Sequence, residues 1–368
     1  MSRTGRLGCV RTPLPLVYVE LTNICDFNCA FCPKELMTRP PQHMDAALAR
    51  SALDQIAAGG VTDLVYFHVM GEPALHPDFA SIADHAASLG LRVGLTSNGA
   101  QLAPGGRIGA MLLDRDLAEI NISLQTPDAR SFVLRRAKGM DYPAYEAGIM
   151  DFFRAHRSRH HETIFRFRFL NTRHAPPGLR ARGVSILDTA AELRSALKRW
   201  AAMVHEAANA DAAESRRIVR KLGRINSFLW NRIEVWPGVW FETFLAGDWG
   251  RAFEDRPVHQ AWAGYCPGLR EHFAVLASGD LVLCCLDYDG KTAVGNLEKQ
   301  SLEEILSSKK VARIMRGFRR LKPVLPYCKR CQGSASRLGW LLRPLGLLLA
   351  LKVMKPVFQK TTRLARRS

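Results

Sequence analysis

The chain has 368 residues, 47% apolar and 23% charged, and carries a net charge of +18. That composition excludes a disordered or fibrous polymer and suits one large domain, alone or with a small one. No apolar run reaches the roughly 20 residues needed to cross a bilayer. The three arginines ahead of Pro13 precede no apolar stretch, so a cytoplasmic, reducing compartment is expected.

From Leu14 to about Trp236 strand-like and helix-like stretches alternate, the pattern of a parallel α/β fold. Leu16–Leu21 reads as the first strand. A helix follows over Asp45–Ala58, with Asp45 as N-cap and Gly59-Gly60 as its stop. Leu64–Val69 is the second strand, followed by a helix to Leu89 that ends at Gly90. Leu91–Thr96, Glu119–Leu124, Thr163–Leu170 and Asn231–Trp236 complete six strands. Six βα units are too few for a closed eight-stranded barrel, and the pattern alone leaves a partial barrel and an open sheet equally open. Residues 171–230 are too long for an ordinary connection and read as a helical insertion, with helical spacing over Ala190–His205 and Ala213–Leu222. A lid over the substrate opening and a surface elaboration are its two readings. Beyond Trp240 the texture turns to Gly, Pro and aromatic residues, with a hairpin expected at His272–Leu286 turning on Ser278-Gly279-Asp280, then a short helix over Ser301–Phe318.

The nine cysteines argue for metal rather than disulfides, since their number is odd and no export signal precedes them. Cys25, Cys29 and Cys32 form a CxxxCxxC just after the first strand. Thiolates hold iron–sulfur clusters, which normally take four of them, so three leave one iron free for a small molecule. A zinc site with a remote fourth ligand is the alternative. Cys266, Cys284, Cys328 and Cys331 form a second set that could close every iron of another cluster, or hold zinc. Cys9 stands apart and reads as a plain thiol.

Strand periodicity adds candidates. Asn121, Ser123 and Gln125 share one strand face, and Arg166 and Arg168 share another. Two arginines are costly to bury unpaired, so that face should line a polar cavity. Ser123 and Gln125 suit ribose hydroxyls, and Arg166 or Arg168 suits a carboxylate or an acidic substrate. An ion pair with Glu20 or Glu234 is the structural alternative. His68, on the Met70 face of the second strand, is a candidate for proton transfer or a core histidine.

The first cysteine motif, with Phe31 before its last cysteine, resembles the signature of the radical S-adenosylmethionine (SAM) superfamily. Met70-Gly71-Glu72-Pro73 is similar to that family's GGEP motif, and Thr96-Ser97-Asn98-Gly99 to its TSNG segment, in the same order after successive strands. The resemblance covers roughly residues 14 to 170. It implies a partial (β/α)6 barrel and a SAM-binding 4Fe–4S cluster on Cys25, Cys29 and Cys32. It also implies reductive cleavage of SAM to a 5′-deoxyadenosyl radical that takes hydrogen from an unactivated C–H bond. Met70, Gly71 and Glu72 would face the SAM amino group and Phe31 the adenine. Asn98, Ser123, Gln125 and Arg168 complete the expected cofactor site, and no catalytic residue is singled out. Gly279-Asp280-Leu281-Val282-Leu283-Cys284 resembles the GxxxxC element of SPASM and twitch auxiliary-cluster domains, which implies a second 4Fe–4S cluster. The glycine spacing favours Cys284 over its neighbour Cys285, and the cysteine spacing is similar to that of an alcohol-oxidising member, 2-deoxy-scyllo-inosamine dehydrogenase.

The expected organisation is a tail over 1–13, a partial barrel over 14–240, an auxiliary-cluster domain over 241–334 and a basic amphipathic tail over 335–368. After Cys331 there are eight Lys and Arg and no Asp or Glu. With Trp340 and a run of leucines, this suits an interfacial helix on anionic lipid at the inner face of a membrane, or a helix packed on the barrel. The expected reaction is oxidation or other modification of a carbohydrate, small metabolite or lipid-linked precursor, with a flavodoxin or ferredoxin as electron donor. Maturation of a ribosomal peptide is the second reading. A zinc-stabilised nucleic-acid-binding protein is the third, and no nucleic acid is expected under the first two.

Overall fold

The computed structural model describes residues 5–226, 230–247 and 249–353. Among them, ten strands form one sheet: β1 (Val17–Val19), β2 (Leu64–Phe67), β3 (Arg92–Ser97), β4 (Glu119–Gln125), β5 (Ile164–Asn171), β6 (Asn231–Trp236), β7 (Val239–Leu245), β8 (Ala274–Val275), β9 (Asp280–Val282) and β10 (Gly295–Asn296). Their spatial order is β10-β9-β8-β1-β2-β3-β4-β5-β7-β6. Strands β8, β1 to β5 and β7 run parallel, and the outer pairs are antiparallel hairpins. The edge strands β10 and β6 do not pair, so the sheet curls into a partial barrel.

Local chemistry sets the crossovers. The carboxylate of Asp45 accepts from Ala47 N (2.8 Å) and Leu48 N (3.0 Å), which starts helix α1 (Ala46–Ala58) where expected. Helix α2 (Phe79–Ser88) stops before Gly90, whose φ of +75° few other residues adopt. Strand β5 turns Phe165, Phe167 and Phe169 outward, all fully buried, under α4 (Tyr142–Arg159) and α5 (Ala190–Ala207); α3 is Arg107–Leu113. Phe153 meets Phe165 edge to face at 5.0 Å, and Trp200 meets Phe167 at 5.9 Å. Arg166 and Arg168 take the opposite, inner face.

Three expectations change. First, α5 is no lid. Its apolar stripe of Leu193, Leu197, Trp200, Ala201 and Val204 is buried, and Trp200 Nε1 donates to Pro127 O (3.1 Å). It is the crossover helix between β5 and β7, followed by α6 (Ala212–Leu222). Second, Asn231–Trp236 is an antiparallel edge strand, and the sixth barrel strand is β7, reached through Pro237-Gly238 with Gly238 at φ +73°. The boundary expected near residue 240 therefore falls inside a strand. Third, residues 5–12 are not a loose tail. They form a hairpin, Gly5–Leu7 with Val10–Thr12, and Cys9 N donates to Leu306 O (2.9 Å).

The expected hairpin at 272–286 forms as β8 and β9, but β8 also pairs with Tyr18–Val19 of β1. The C-terminal cysteine segment thus extends the barrel sheet. Beneath this junction lies the fully buried carboxylate of Glu20, which receives both Nη groups of Arg39 (2.7 and 2.8 Å), Met70 N (3.1 Å) and Ala277 N (2.9 Å). Glu20→Ala leaves Arg39 buried without its partner. A loss of about 3–5 kcal/mol is expected, read as a lowered urea midpoint.

Candidate functional site

The loop after β1 carries Cys25, Cys29 and Cys32, all free and partly buried. Cys32 N donates to Cys29 O (3.0 Å), and Lys34 Nζ donates to Cys25 O (2.7 Å) and Phe27 O (3.1 Å), which fixes the loop's curvature. Burial pushes the Cys25 and Cys32 thiols up to about 12; Glu72 adds to the first, and Cys29 and Cys25 add to the second. Thiols that crowd and desolvate one another in this way ionise when a cationic centre replaces their protons. Among the described residues, no three Cys, His, Asp or Glu side chains converge as ligands of one metal ion.

The motif after β2 sits against this loop. Gly71 has φ +71°, and a Cβ there would lie 2.4 Å from Thr22 O and 2.6 Å from Ile24 O, so only glycine fits. Glu72 is buried and accepts from Asn98 N (2.6 Å) and Ala74 N (3.4 Å); burial raises its pKa to about 8. Asn98 Nδ2 donates to Asp26 Oδ1 (2.6 Å) and Cys25 Sγ (3.4 Å). Phe31 is buried in the core beside the loop, and Met70 packs with Val69, Ala274 and Leu276. Ser123 and Gln125 are half-buried at the end of β4.

Sequence reasoning missed Arg135. Only 1% exposed, it donates to Asn98 O (2.7 Å), Ser123 O (2.9 Å) and Gln125 Oε1 (3.0 Å), and its guanidinium lies 4.7 Å from the Phe27 ring centre. Its Nε is buried without an acceptor. Its charge opposes the upward push on the Cys29 thiol. Nothing in the run Val133–Lys138 distinguishes this arginine from its neighbour Arg136, because its partners come from other strands.

Strand β5 behaves otherwise than expected. Arg166 pairs with Glu119 (3.1 Å) and Glu242 (3.2 Å), and Arg168 with Glu242 (3.2 Å), instead of Glu20 or Glu234. These groups, with Tyr18, Tyr66, His68 and Trp240, line a cavity of about 1930 Å³ inside the barrel. His68 is pushed down to about 3, first by burial and then by the Arg168 charge, so it is a neutral ring at ordinary pH.

The second cysteine set comes together across long gaps. Cys284 is raised by burial and by Cys285, Cys266 and Cys331, and burial, Cys266 and Cys331 push Cys328 up to about 12. Cys285 instead packs with Tyr18, Met70 and Cys32, within reach of the Arg168 charge. The two adjacent thiols thus differ in their neighbours, although Cys266 also acts on Cys285.

Residues 19–165 match the radical SAM superfamily model, and residues 266–332 match an iron–sulfur cluster-binding domain, SPASM. The chain carries a radical SAM domain. The two domains carry with them SAM, a 4Fe–4S cluster and an auxiliary iron–sulfur site. Among curated proteins it is similar to GTP 3′,8-cyclase 1 of Pseudomonas aeruginosa, 35% identical over 31% of this chain and 34% of that protein. It is also similar to mycofactocin maturase MftC of Mycobacterium ulcerans, 30% identical over 28% of this chain and 27% of that protein. The chain thus spans about a third of the length of the curated relatives it matches. SuiB of Streptococcus suis, solved with S-adenosylmethionine, aligns with a TM-score of 0.52 at 15% identity, covering 87% of this chain and 72% of that one. At that identity the likeness is one of fold.

The radical SAM chain makes a sharp prediction at the adjacent cysteines. After anaerobic reconstitution, Cys284→Ala should lose roughly half of the bound iron, one of two four-iron clusters. Cys285→Ala should keep the wild-type iron content; the opposite pattern would exchange their roles.

Proposed function

We propose that this chain cleaves SAM reductively and abstracts hydrogen from an unactivated C–H bond of a substrate held in the barrel cavity. The observation that carries the reading is the meeting of the three-cysteine loop, the Gly71-Glu72 turn and Asn98 at the carboxyl ends of β1, β2 and β3, where α/β proteins build their sites. Cys25, Cys29 and Cys32 would hold the 4Fe–4S cluster, and Cys266, Cys284, Cys328 and Cys331 the auxiliary one. With its cofactors bound, such a site supplies a low-potential electron and a 5′-deoxyadenosyl radical.

The protein's own contribution is placement and dryness. Glu72 offers a carboxylate, and Met70 and Gly71 their backbone, to the SAM amino group. Phe31 flanks the adenine, and Ser123 and Gln125 face the ribose. Arg135 holds the ends of β3 and β4 together and adds positive charge beside the thiols. A flavodoxin or ferredoxin is the proposed electron donor.

A carbohydrate, small metabolite or lipid-linked precursor is the substrate class we favour, on the charged and hydrogen-bonding side chains along the barrel cavity. Cys285, next in sequence to the second cysteine set, packs with Tyr18 of the cavity wall, and this proximity supports an oxidative outcome. A peptide substrate is the second reading, motivated by the similarity to mycofactocin maturase. In anaerobic assays with dithionite, the full chain should form 5′-deoxyadenosine from SAM, and Cys25→Ala/Cys29→Ala/Cys32→Ala should abolish it. Product formation by the triple variant would sink the reading. Deuterium carried from a labelled sugar, metabolite or peptide into 5′-deoxyadenosine decides the substrate class.

The C-terminal helix, α7 (Arg337–Val353), supports peripheral contact with an anionic membrane. Leu338, Leu341, Leu342 and Leu345 recur at i, i+3, i+4 and i+7, and each is at least half exposed. Trp340 Nε1 donates to Gln260 O (2.9 Å) and Arg343 to Gly333 O (2.6 Å), which fixes the helix to the body with that stripe outward. No described helix is long and apolar enough to cross a membrane. Residues 354–368, the rest of the basic tail, lie outside the described residues. Co-sedimentation with phosphatidylglycerol vesicles should fall at least about tenfold in Leu341→Glu/Leu345→Glu. Undiminished binding would remove the helix from the interface.

A further inference from the structure

The inner wall of the barrel carries more guanidinium than it neutralises. Strand register sets Arg168 directly opposite Glu242, and Glu242 directly opposite Arg232, in one row across β5, β7 and β6. In the row beside it, Arg166 stands opposite Trp240. Arg166 is well supplied, with Nε and Nη2 on Glu119 at 3.1 Å and Nη1 on Glu242 at 3.2 Å. Arg168 reaches Glu242 through Nε alone (3.2 Å), and Arg232 approaches the same carboxylate only at 3.5 Å through its Nε. That Nε is buried and makes no hydrogen bond. Among the described residues, the Nη groups of Arg168 and Arg232 make no hydrogen bond. Three guanidiniums therefore face two carboxylates, those of Glu119 and Glu242.

Other acids along the cavity do not offset this charge. Asp63 pairs with Arg92 (3.8 Å), Asp84 with Arg115 (3.0 Å) and Asp114 with Arg159 (2.9 Å), at the amino-terminal rim of the barrel. Glu234 is exposed and accepts from Gly238 N (3.1 Å) at the β6–β7 turn. The excess is felt as well: like charge from Arg166, added to burial, lowers the Arg232 pKa, and Arg168 helps to hold His68 neutral. A cation left short of partners in a semi-enclosed wall is costly unless an anion completes it. The Arg232 guanidinium lies 4.9 Å from the Trp240 ring centre, which limits its tumbling and presents its fork to the cavity.

We propose that Arg168 and Arg232 form an oxyanion subsite that binds the carboxylate or phosphate group of the substrate, with Glu242 and Trp240 orienting the two forks. The assignment rests on the proposed reading of this cavity as the place where the substrate is held. It narrows the substrate class to small molecules that carry an anionic group, and such a group fits a planar two-pronged donor.

The test uses the full chain, reconstituted anaerobically, with inorganic pyrophosphate and succinate as probes and tryptophan emission as the readout. At least one probe should give a saturable emission change that Trp240→Phe removes. Arg168→Gln and Arg232→Gln should each weaken that probe at least tenfold with unchanged circular dichroism, while Arg232→Gln keeps SAM affinity within twofold. Arg232→Lys keeps the charge but loses the fork, and should weaken the probe about threefold or more. Response to pyrophosphate alone identifies a phosphate site, and response to succinate alone a carboxylate site. If both glutamine variants bind the probes as the wild type does, or if they lose SAM and not the probes, the subsite is overturned. Formation of 5′-deoxyadenosine by the wild-type chain is scored separately, so failure of the subsite and failure of the underlying radical reading give different results.

Discussion

The buried carboxylate of Glu20 is the constraint on which the site depends. It lies one residue beyond β1 and takes four donors from three separate places: Arg39 after the cysteine loop, the backbone of Met70 after β2, and the backbone of Ala277 in the β8–β9 turn. A desolvated carboxylate is tolerable only with such a full shell. Satisfying it draws the cysteine loop, the turn at Met70-Gly71-Glu72 and the C-terminal hairpin to one point. Arg39 extends the clasp, since its Nε donates to Tyr288 O (3.0 Å) while Asp289 accepts from Thr38 N (2.6 Å) and Arg39 N (3.3 Å). The two cysteine sets are therefore held by one polar junction rather than by two independent domains.

That junction explains what was legible in the amino-acid order and what was not. Periodicity is local, so it exposed the alternation of Phe165, Phe167 and Phe169 with Arg166 and Arg168, and the cap at Asp45. Motif spacing is local too, and it marked the cysteines, Gly71-Glu72 and Asn98. Partners across strands are not local. The acceptors of Arg166 and Arg168 were sought at Glu20 and Glu234, yet register brings Glu119 and Glu242 beside them. Arg135 was invisible for the same reason, since it serves Asn98, Ser123 and Gln125 from a short turn with no periodicity of its own. The misassigned sixth strand has a different cause. Both arms of the β6–β7 hairpin alternate well, and only topology separates the edge strand from the one that continues the barrel.

The odd pair Cys284–Cys285 shows how the same geometry divides two tasks. Just beyond β9, Cys284 is shifted by Cys266 and Cys331, while Cys285 packs with Tyr18 and Met70. β8 is parallel to β1, with Ala274 in register with Tyr18, so the C-terminal segment packs on the strand that carries one of the cavity's aromatic side chains.

The cavity is polarised from one side to the other. Near β1 and β2 it presents Tyr18, Tyr66 and His68; burial raises the two phenols and lowers the imidazole, so all three are neutral at ordinary pH. Near β5, β7 and β6 it presents a row of arginines. A radical formed at the cysteine end needs surroundings without charge or loosely held water, whereas orientation of a small substrate needs a strong, directional anchor. The strand order separates the two walls: Tyr18, Tyr66 and His68 stand on β1 and β2 or just after them, and Arg166, Arg168 and Arg232 on β5 and β6. Under the proposed subsite, a substrate would carry its anionic group toward β5 and β6 and its reactive C–H bond toward β1 and β2.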